Sequence, residues 1–504
     1  MKSAIVIGAG VGGLAAAINL ARAGVRVTLF ERGPTVGGRL RELEVGGHKF
    51  LGGPSVLTMR HVFEELFDGK LAEHVKLLPL DPLCRHFFPD GSRLDLHSDA
   101  ARTHKAIAEF SGQRDADGYL SFRQHASKIY EIVRRPFMEQ PIPSLFNFMS
   151  PRAMWQMTQI DGMRTLMRAL ESFFADARLR QLFARYATYN GSSPYHAPAT
   201  LSVIAHVENA FGIFAVAGGL YRLAEALAAR ARALGVEIVT NADVDGVVLE
   251  PASGSPFALH SRARGVRVAG AVTWADCVIA NCDVADAYQR LLRESPLVQK
   301  LARKYDAEEL SLSAYVLLAV TKPSPLPLVH HNVFFSRDYP AEFEALVEAR
   351  RPPDAPTVYL CAEDRAPDGN VDERERCFLL TNAPPLDQRG RAVDWNHEAG
   401  QCRARIETTL AHHGWTLAPE ASGEITPADF ATRFPSSRGA IYGLSSNSKM
   451  AAFKRPPNHI PGIAGLYLCG GSVHPGAGLP MVVLSAKIAT DLALQRNVRG
   501  SVSA

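Results

Sequence analysis

Cysteine is scarce in this chain and unpaired along it: Cys84, Cys277, Cys282, Cys361, Cys377, Cys402 and Cys469 stand alone among 504 residues, with no CxxC spacing. An odd, scattered set of this kind excludes a disulfide framework and a cysteine metal knuckle, and fits reduced thiols. Dense Lys/Arg runs with interleaved aromatics are missing, and 55 basic against 51 acidic residues leave a formal charge of +4. That balance excludes nucleic acid as a partner and leaves attraction to an anionic membrane open. Unbroken apolar runs are missing too. Residues 3 to 21 and 456 to 486 carry no Asp, Glu, Lys or Arg, but Gly8, Gly10, Gly12 and Gly13 interrupt the first and Gly470, Gly471, Gly476 and Gly478 the second. Neither stretch reads as an export signal or a membrane span. The adjacent pairs His330-His331 and His412-His413 are expected to diverge, because neighbouring side chains point to opposite faces of a strand and splay on a helix, so no metal site is expected. Repeats and low-complexity tracts are absent, and the rest is ordinary globular material, 47% hydrophobic, long enough for two or more domains.

Glycine is concentrated where it carries chemistry. Ala4-Ile5-Val6-Ile7-Gly8-Ala9-Gly10-Val11-Gly12-Gly13-Leu14 sets GxGxxG between a β-branched strand and an alanine-rich helix; Gly24 stops the helix, Val25 to Phe30 is a second strand, and Glu31 ends it. This is the dinucleotide fingerprint in register. Gly8 permits the tight turn, Gly10 lets the backbone approach a pyrophosphate, Gly13 lets helix and strand pack closely, and Glu31 accepts from a ribose. Beyond it, Arg32 and then Gly37-Gly38-Arg39-Leu40 offer close main-chain access and a forked cation for phosphate oxygens.

Further along, Gly52-Gly53-Pro54-Ser55-Val56-Leu57 leads into a helix from Thr58 with Met59, Val62, Phe63, Leu66 and Phe67 on one face, stopped by Asp68-Gly69. A block from Gly218 reads as a helix ended by Gly235, strands Val236 to Val239 and Val244 to Leu249, a hairpin at Ala269-Gly270, and a core strand Cys277 to Ala280 ending at Asn281-Cys282-Asp283. A last strand, Leu466 to Cys469, runs through Gly470, Gly471 and Gly478 into a helix opened by Leu479, Pro480 and Met481. Its N-terminus is open to a ligand, and the helix dipole there is worth about 0.3–1 kcal/mol toward an anion. The expected fold is α/β: a Rossmann-like cofactor domain from 1–85, 216–285 and 431–504, with an inserted α+β substrate and membrane-facing domain from 86–215 and 286–430.

The Gly37-Gly38-Arg39 segment resembles that of the flavin amine oxidase and carotenoid desaturase superfamily, whose cofactor is FAD. Leu466 to Pro480 is similar to the closing flavin motif of bacterial phytoene desaturases, Ile425 to Phe430 matches a segment before it, and the likeness runs through nearly the whole chain. Gly53 to Thr58, Phe88 to Leu96 and above all Arg178 to Pro194 resemble the hydroxycarotenoid 3,4-desaturase branch, also called methoxyneurosporene dehydrogenases. The resemblance implies noncovalent FAD held by Gly8, Gly10, Val11, Gly12, Gly13, Glu31, Arg32, Gly38, Arg39, Leu40, Gly53, Pro54, Ser55, Val244, Asp283, Gly470, Gly471, Gly478, Leu479, Pro480 and Met481. Two departures stand out: Leu51 and Gly52 replace the family's Asp-Ala before Gly-Pro, and Met481 replaces a glycine.

The implied reaction is removal of two hydrogens from adjacent carbons at a polyene end, a hydride from one and a proton from the other. His474, in the flavin loop, is the candidate acid/base, with a role in fixing loop geometry as the alternative. Asp161 and Arg164 read as a salt-bridged pair. A carotenoid of about forty carbons would pay tens of kcal/mol to enter water at roughly 0.8 kcal/mol per CH₂, so it is taken directly from a bilayer. Six of ten methionines lie between Met138 and Met167, among Phe137, Leu145, Phe146, Phe148 and Trp155 and beside Lys128, Arg134, Arg135 and Arg152. This is the expected membrane entry, residues 136 to 163, and it implies a cytoplasmic protein attached peripherally to the inner membrane, with quinone or oxygen as electron acceptor. Competing readings are desaturation of phytoene or neurosporene, a flavin amine oxidase, and a non-catalytic prenyl-lipid carrier of the same fold.

Overall fold

The computed structural model describes residues 1–142, 155, 158–251, 261–365, 371, 373–386 and 393–500, with side chains to residue 495. Its first layer is a parallel sheet of five strands in the order Leu466–Leu468, Cys277–Ala280, Ser3–Ile7, Arg26–Phe30, Glu237–Val239. Both faces are covered, as a parallel sheet requires. Ala4, Val6, Val27, Leu29, Cys277 and Ile279 point to a core shared with the helices Val11–Arg22, Tyr221–Ala233 and Leu479–Gly500. Ile5, Ile7, Phe30, Val278 and Ala280 point the other way, to the antiparallel strands Val244–Pro251 and Ser261–Val268. The hairpin from Ser261–Val268 into Ala271–Trp274 turns on Ala269 and Gly270, both at positive φ, as a two-residue turn matched to strand twist demands.

The second layer is a mixed seven-stranded sheet, Ala421–Ile425, Ser313–Thr321, Glu375–Ala383, Val358–Ala362, His331–Phe334, Cys84–Phe87, Arg93–Leu96. All its pairings are antiparallel except His331–Phe334 with Cys84–Phe87. Ser313–Thr321 is buried at every position. Tyr315, Leu317 and Ala319 pack under the helix Trp395–His412, while Ala314, Val316 and Leu318 face the opposite side with Phe50 and Phe378. A helical cap of Ala100–Ser111, Gln113–Val133, Ala177–Ala184 and Val203–Phe211 closes the far end over an aromatic core of Tyr119, Phe122, Phe174 and Phe183. The helix Pro296–Asp306 buries Val298, Ala302 and Tyr305 in the core under the parallel sheet.

Candidate functional site

A cavity of about 460 Å³ opens at the carboxyl ends of Ser3–Ile7 and Arg26–Phe30, where open α/β sheets bind ligands, and runs to the second sheet. Its near end is built from close backbone approaches. Gly8 sits at φ +91°, and a Cβ there would lie 2.6 Å from the Asn281 carbonyl oxygen. A Cβ on Gly13 would lie 1.9 Å from the Gly8 carbonyl, so only glycine lets the helix meet the strand. Gly10 begins that helix with no side-chain cap and no acid in the first turn, leaving its N-terminus to an anion. Glu31 accepts from the Ala9 N–H at 2.7 Å and the Gly33 N–H at 2.8 Å, which fixes its carboxylate beside the turn. Arg39 donates to the Ile441 carbonyl, lies over the Phe434 ring at 5.0 Å and approaches Asp283 at 3.5 Å. Burial pushes the Asp283 carboxyl up, and Arg39 opposes the shift.

The far end differs. Ala314, Val316, Val333, Phe378, Leu380 and Ile425 make an apolar wall, while Ser55, Arg185, Thr188, Tyr189 and Tyr359 add polar groups. Ser55 Oγ and Tyr359 Oη are 2.8 Å apart, and Tyr359 Oη is 2.8 Å from His331 Nδ1. Beside them Tyr186 and Tyr189 donate to Glu208 at 2.7 and 2.5 Å, and Arg185 pairs with the same carboxylate at 3.5 Å. The expectation that His330 and His331 diverge fails. His330 precedes the strand and escapes its alternation, so the ring centroids lie 4.6 Å apart and both reach Cys361. Burial pushes the Cys361 thiol well up, Cys361 Sγ lies 3.5 Å from His330 Nε2, and Tyr359 Oη engages His331 Nδ1, so the cluster is hydrogen-bonded.

Comparison with known proteins settles the family. The flavin containing amine oxidoreductase family matches residues 11–494. The chain is 40% identical to a hydroxyneurosporene desaturase of Cereibacter sphaeroides, over 97% of either protein. It is 31% identical to a 1-hydroxycarotenoid 3,4-desaturase of a Flavobacterium species, over 98% of this chain and 99% of that one. It belongs to the flavin amine oxidase/phytoene desaturase family. The fold agrees: putrescine oxidase bound to putrescine superposes with a TM-score of 0.62 at 16% identity, covering 99% of both chains.

Within this family member, the cavity collects most of the residues the sequence singled out. Gly8, Gly10, Val11, Gly12, Glu31, Arg32, Gly38, Arg39, Leu40, Gly53, Pro54, Ser55, Val244, Asp283, Gly470, Gly471, Gly478 and Leu479 line it. Gly13, Pro480 and Met481 do not line it: Gly13 is buried against Gly8, and Met481 packs on the helix core. His474 lies apart from the residues that line it. It is 3% exposed and off the cavity wall, its Nε2 donates to the Gln140 carbonyl at 2.9 Å, and burial pushes its pKa down to about 4. It anchors the loop and is uncharged near neutral pH. Asp161 and Arg164 form the expected ion pair at 2.6 Å, joined by His125. Asn281 was missed: its Oδ1 accepts from the Gly13 N–H at 2.5 Å and fixes the helix start. Its place at the end of a core strand beside the last glycine loop was the available signal. Leu145, Phe146, Phe148 and Arg152 of the expected membrane entry lie outside the described residues; Trp155 and Met163 are 61% and 74% exposed.

Proposed function

We propose that the protein is a carotenoid desaturase that binds FAD noncovalently and removes two hydrogens from C3 and C4 of an acyclic 1-hydroxycarotenoid. The observation that carries this reading is the continuity of one cavity from a glycine-lined, uncapped helix start to an apolar sheet face. The near end fits the cofactor: glycine Cα atoms stand where a Cβ would fill the cradle, and Glu31, Arg39 and Asp283 supply polar groups around it. When bound there, FAD supplies the redox chemistry by taking up a hydride. Cys469 is fully buried at a strand end and off the cavity wall, which favours noncovalent binding.

The protein's part is orientation and exclusion of water. Val316, Phe378, Leu380 and Ile425 give the polyene an apolar wall, and the cradle sets the cofactor side of the same space. The named relatives support a hydroxylated acyclic polyene as substrate. No helix among the described residues is long and apolar enough to cross a membrane. Exposed Trp155 and Met163, with Lys128, Arg134 and Arg135 nearby in sequence, support docking on an anionic lipid surface, and a quinone or oxygen takes the electrons onward. The two units are residues 1–85, 216–306 and 431–504 for the cofactor and 86–215 with 307–430 for the substrate, from the packing of Pro296–Asp306.

The test is incubation of purified protein with FAD and liposomal 1-hydroxycarotenoid, read by absorption spectrum and chromatography. A red shift with loss of two hydrogens is expected. Bound flavin with no product from any acyclic carotenoid overturns the reading; a colourless protein that cannot take up FAD favours the lipid-carrier alternative.

A further inference from the structure

We propose that Ser55, Tyr359 and Tyr189 form a recognition site for the terminal hydroxyl of the polyene, placed at the seam between the two ends of the cavity. This rests on the desaturase reading. Ser55 belongs to the cofactor-side wall: it follows Gly53, where a Cβ would lie 1.8 Å from the Arg39 carbonyl. Tyr359 belongs to the strand Val358–Ala362 of the second sheet. Their 2.8 Å contact is thus a polar bridge between walls that come from different layers.

Substrate geometry demands polar groups at this seam. In a 1-hydroxylated chain the oxygen lies only about 3 to 4 Å from C3 by ordinary bond lengths. A group that reads the hydroxyl therefore stands beside the reacting carbons, where the cofactor half meets the sheet, and not at a remote end.

The bridge also has the right hydrogen-bonding character. Behind Tyr359, His331 is fully buried and kept neutral by that burial with Arg185 nearby, and its Nε2 has no partner among the described residues. With Nδ1 accepting from Tyr359 and Tyr359 accepting from Ser55, the Ser55 lone pairs are left for the cavity; with the chain reversed, Ser55 offers a donor. An alcohol both donates and accepts, so it completes either arrangement. A hydrocarbon end leaves a buried polar group unmatched, and a site built on such pairing rejects the analogue that lacks it.

Charge points the same way. Glu208 is already matched by Arg185 and by the hydroxyls of Tyr186 and Tyr189, so the cluster presents no uncompensated carboxylate for an amine. Tyr189, which donates to Glu208 and accepts from Arg185 at 3.0 Å, offers the cavity an ordered oxygen from a neutral cluster.

The experiment measures kcat/KM for a liposomal acyclic polyene with a terminal tertiary alcohol and for the same polyene without it, in wild type, Tyr359→Phe, Tyr189→Phe and Ser55→Ala. Flavin content and melting temperature serve as folding controls. Wild type is expected to favour the alcohol, and each variant to narrow that ratio, by about ten-fold for Tyr359→Phe. Should Tyr359→Phe fail to retain flavin, Tyr189→Phe decides. A wild type that turns over both polyenes equally, or a ratio unchanged in the variants, overturns the inference while the desaturase reading stands. A wild type that turns over neither removes both.

Discussion

Two glycines three residues apart separate cofactor binding from folding. At Gly10 the backbone is ordinary, φ −67° and ψ 171°, and an added Cβ comes closest to the Asn281 side-chain oxygen, at 3.2 Å, with the Gly37 carbonyl oxygen and Gly38 Cα in ordinary contact at 4.0 Å. Gly10→Ala should therefore leave the fold intact, at about 1 kcal/mol for an alanine N-cap. Its methyl occupies the mouth of an uncapped helix, where charge-assisted hydrogen bonds to a diphosphate are worth about 1.5–3 kcal/mol each; loss of one or two predicts flavin binding weakened from about ten-fold to about ten-thousand-fold. At Gly13 the added carbon would sit 1.9 Å from the Gly8 carbonyl, against the 3.0 Å below which real contacts essentially never fall, so helix and strand must part by roughly 1 Å. Forced separation in a packed core costs about 1–3 kcal/mol, so Gly13→Ala should melt several degrees early even without flavin. Flavin titration by fluorescence and thermal unfolding of the flavin-free protein read the two effects. A Gly10→Ala protein with wild-type flavin affinity would refute placement of the diphosphate at this helix, and a Gly13→Ala protein with wild-type melting would refute the close approach.

Three other outcomes are expected. Glu342 is buried among Ser336 and Thr357, and burial pushes its carboxyl up to about 7; a pKa raised on folding gives stability that is full below about 4.5 and lost as pH rises through 7, worth up to about 3 kcal/mol. Urea unfolding at pH 5 and pH 8 should show that loss in wild type and a flattened dependence in Glu342→Gln, and an identical slope in both would sink the assignment. Replacing exposed Trp155 and Met163 together with serine should weaken sedimentation with anionic liposomes several-fold without changing flavin content; unchanged sedimentation would move the membrane face elsewhere. His474, neutral above its pKa of about 4, sets no limb of the activity profile near neutrality, so His474→Asn should keep the wild-type profile between pH 6 and 8, and loss of a limb there would restore its acid/base role.

The cofactor half was legible because local rules write it. Gly8, Gly10 and Gly13 occupy positions where backbone contact leaves no room for a side chain or a ligand needs the main chain, and the strand Ser3–Ile7 alternates between two cores as its pattern demands. Asn281 was not legible in the same way, because its contact with Gly13 joins residues 268 apart. The expected divergence of His330 and His331 failed at a strand boundary: alternation starts at His331, the second residue of the pair. His474 drew attention by its chemistry and its neighbours in sequence, yet the turn that carries it points the ring at Gln140 and away from the cavity.

The substrate half shows why a resemblance can be legible before its physics is. Arg178 to Pro194 stood out as a branch signature, but sequence assigned it no role. In the fold, the helix Ala177–Ala184 passes into a tighter turn, Arg185–Asn190, ended by Gly191 in the left-handed region, and that tightening brings Arg185, Thr188 and Tyr189 to one wall of the cavity. The carboxylate that makes a buried arginine tolerable there, Glu208, lies 23 residues further on in another helix. A buried ion pair of this kind adds little net stability compared with an apolar replacement, while removal of one partner alone costs about 3–5 kcal/mol. Its presence at a cavity wall is therefore better accounted for by what it positions than by what it stabilises: Arg185 and Glu208 hold the Tyr189 hydroxyl in one orientation on the wall of the cavity that Ser55 and Tyr359 also line.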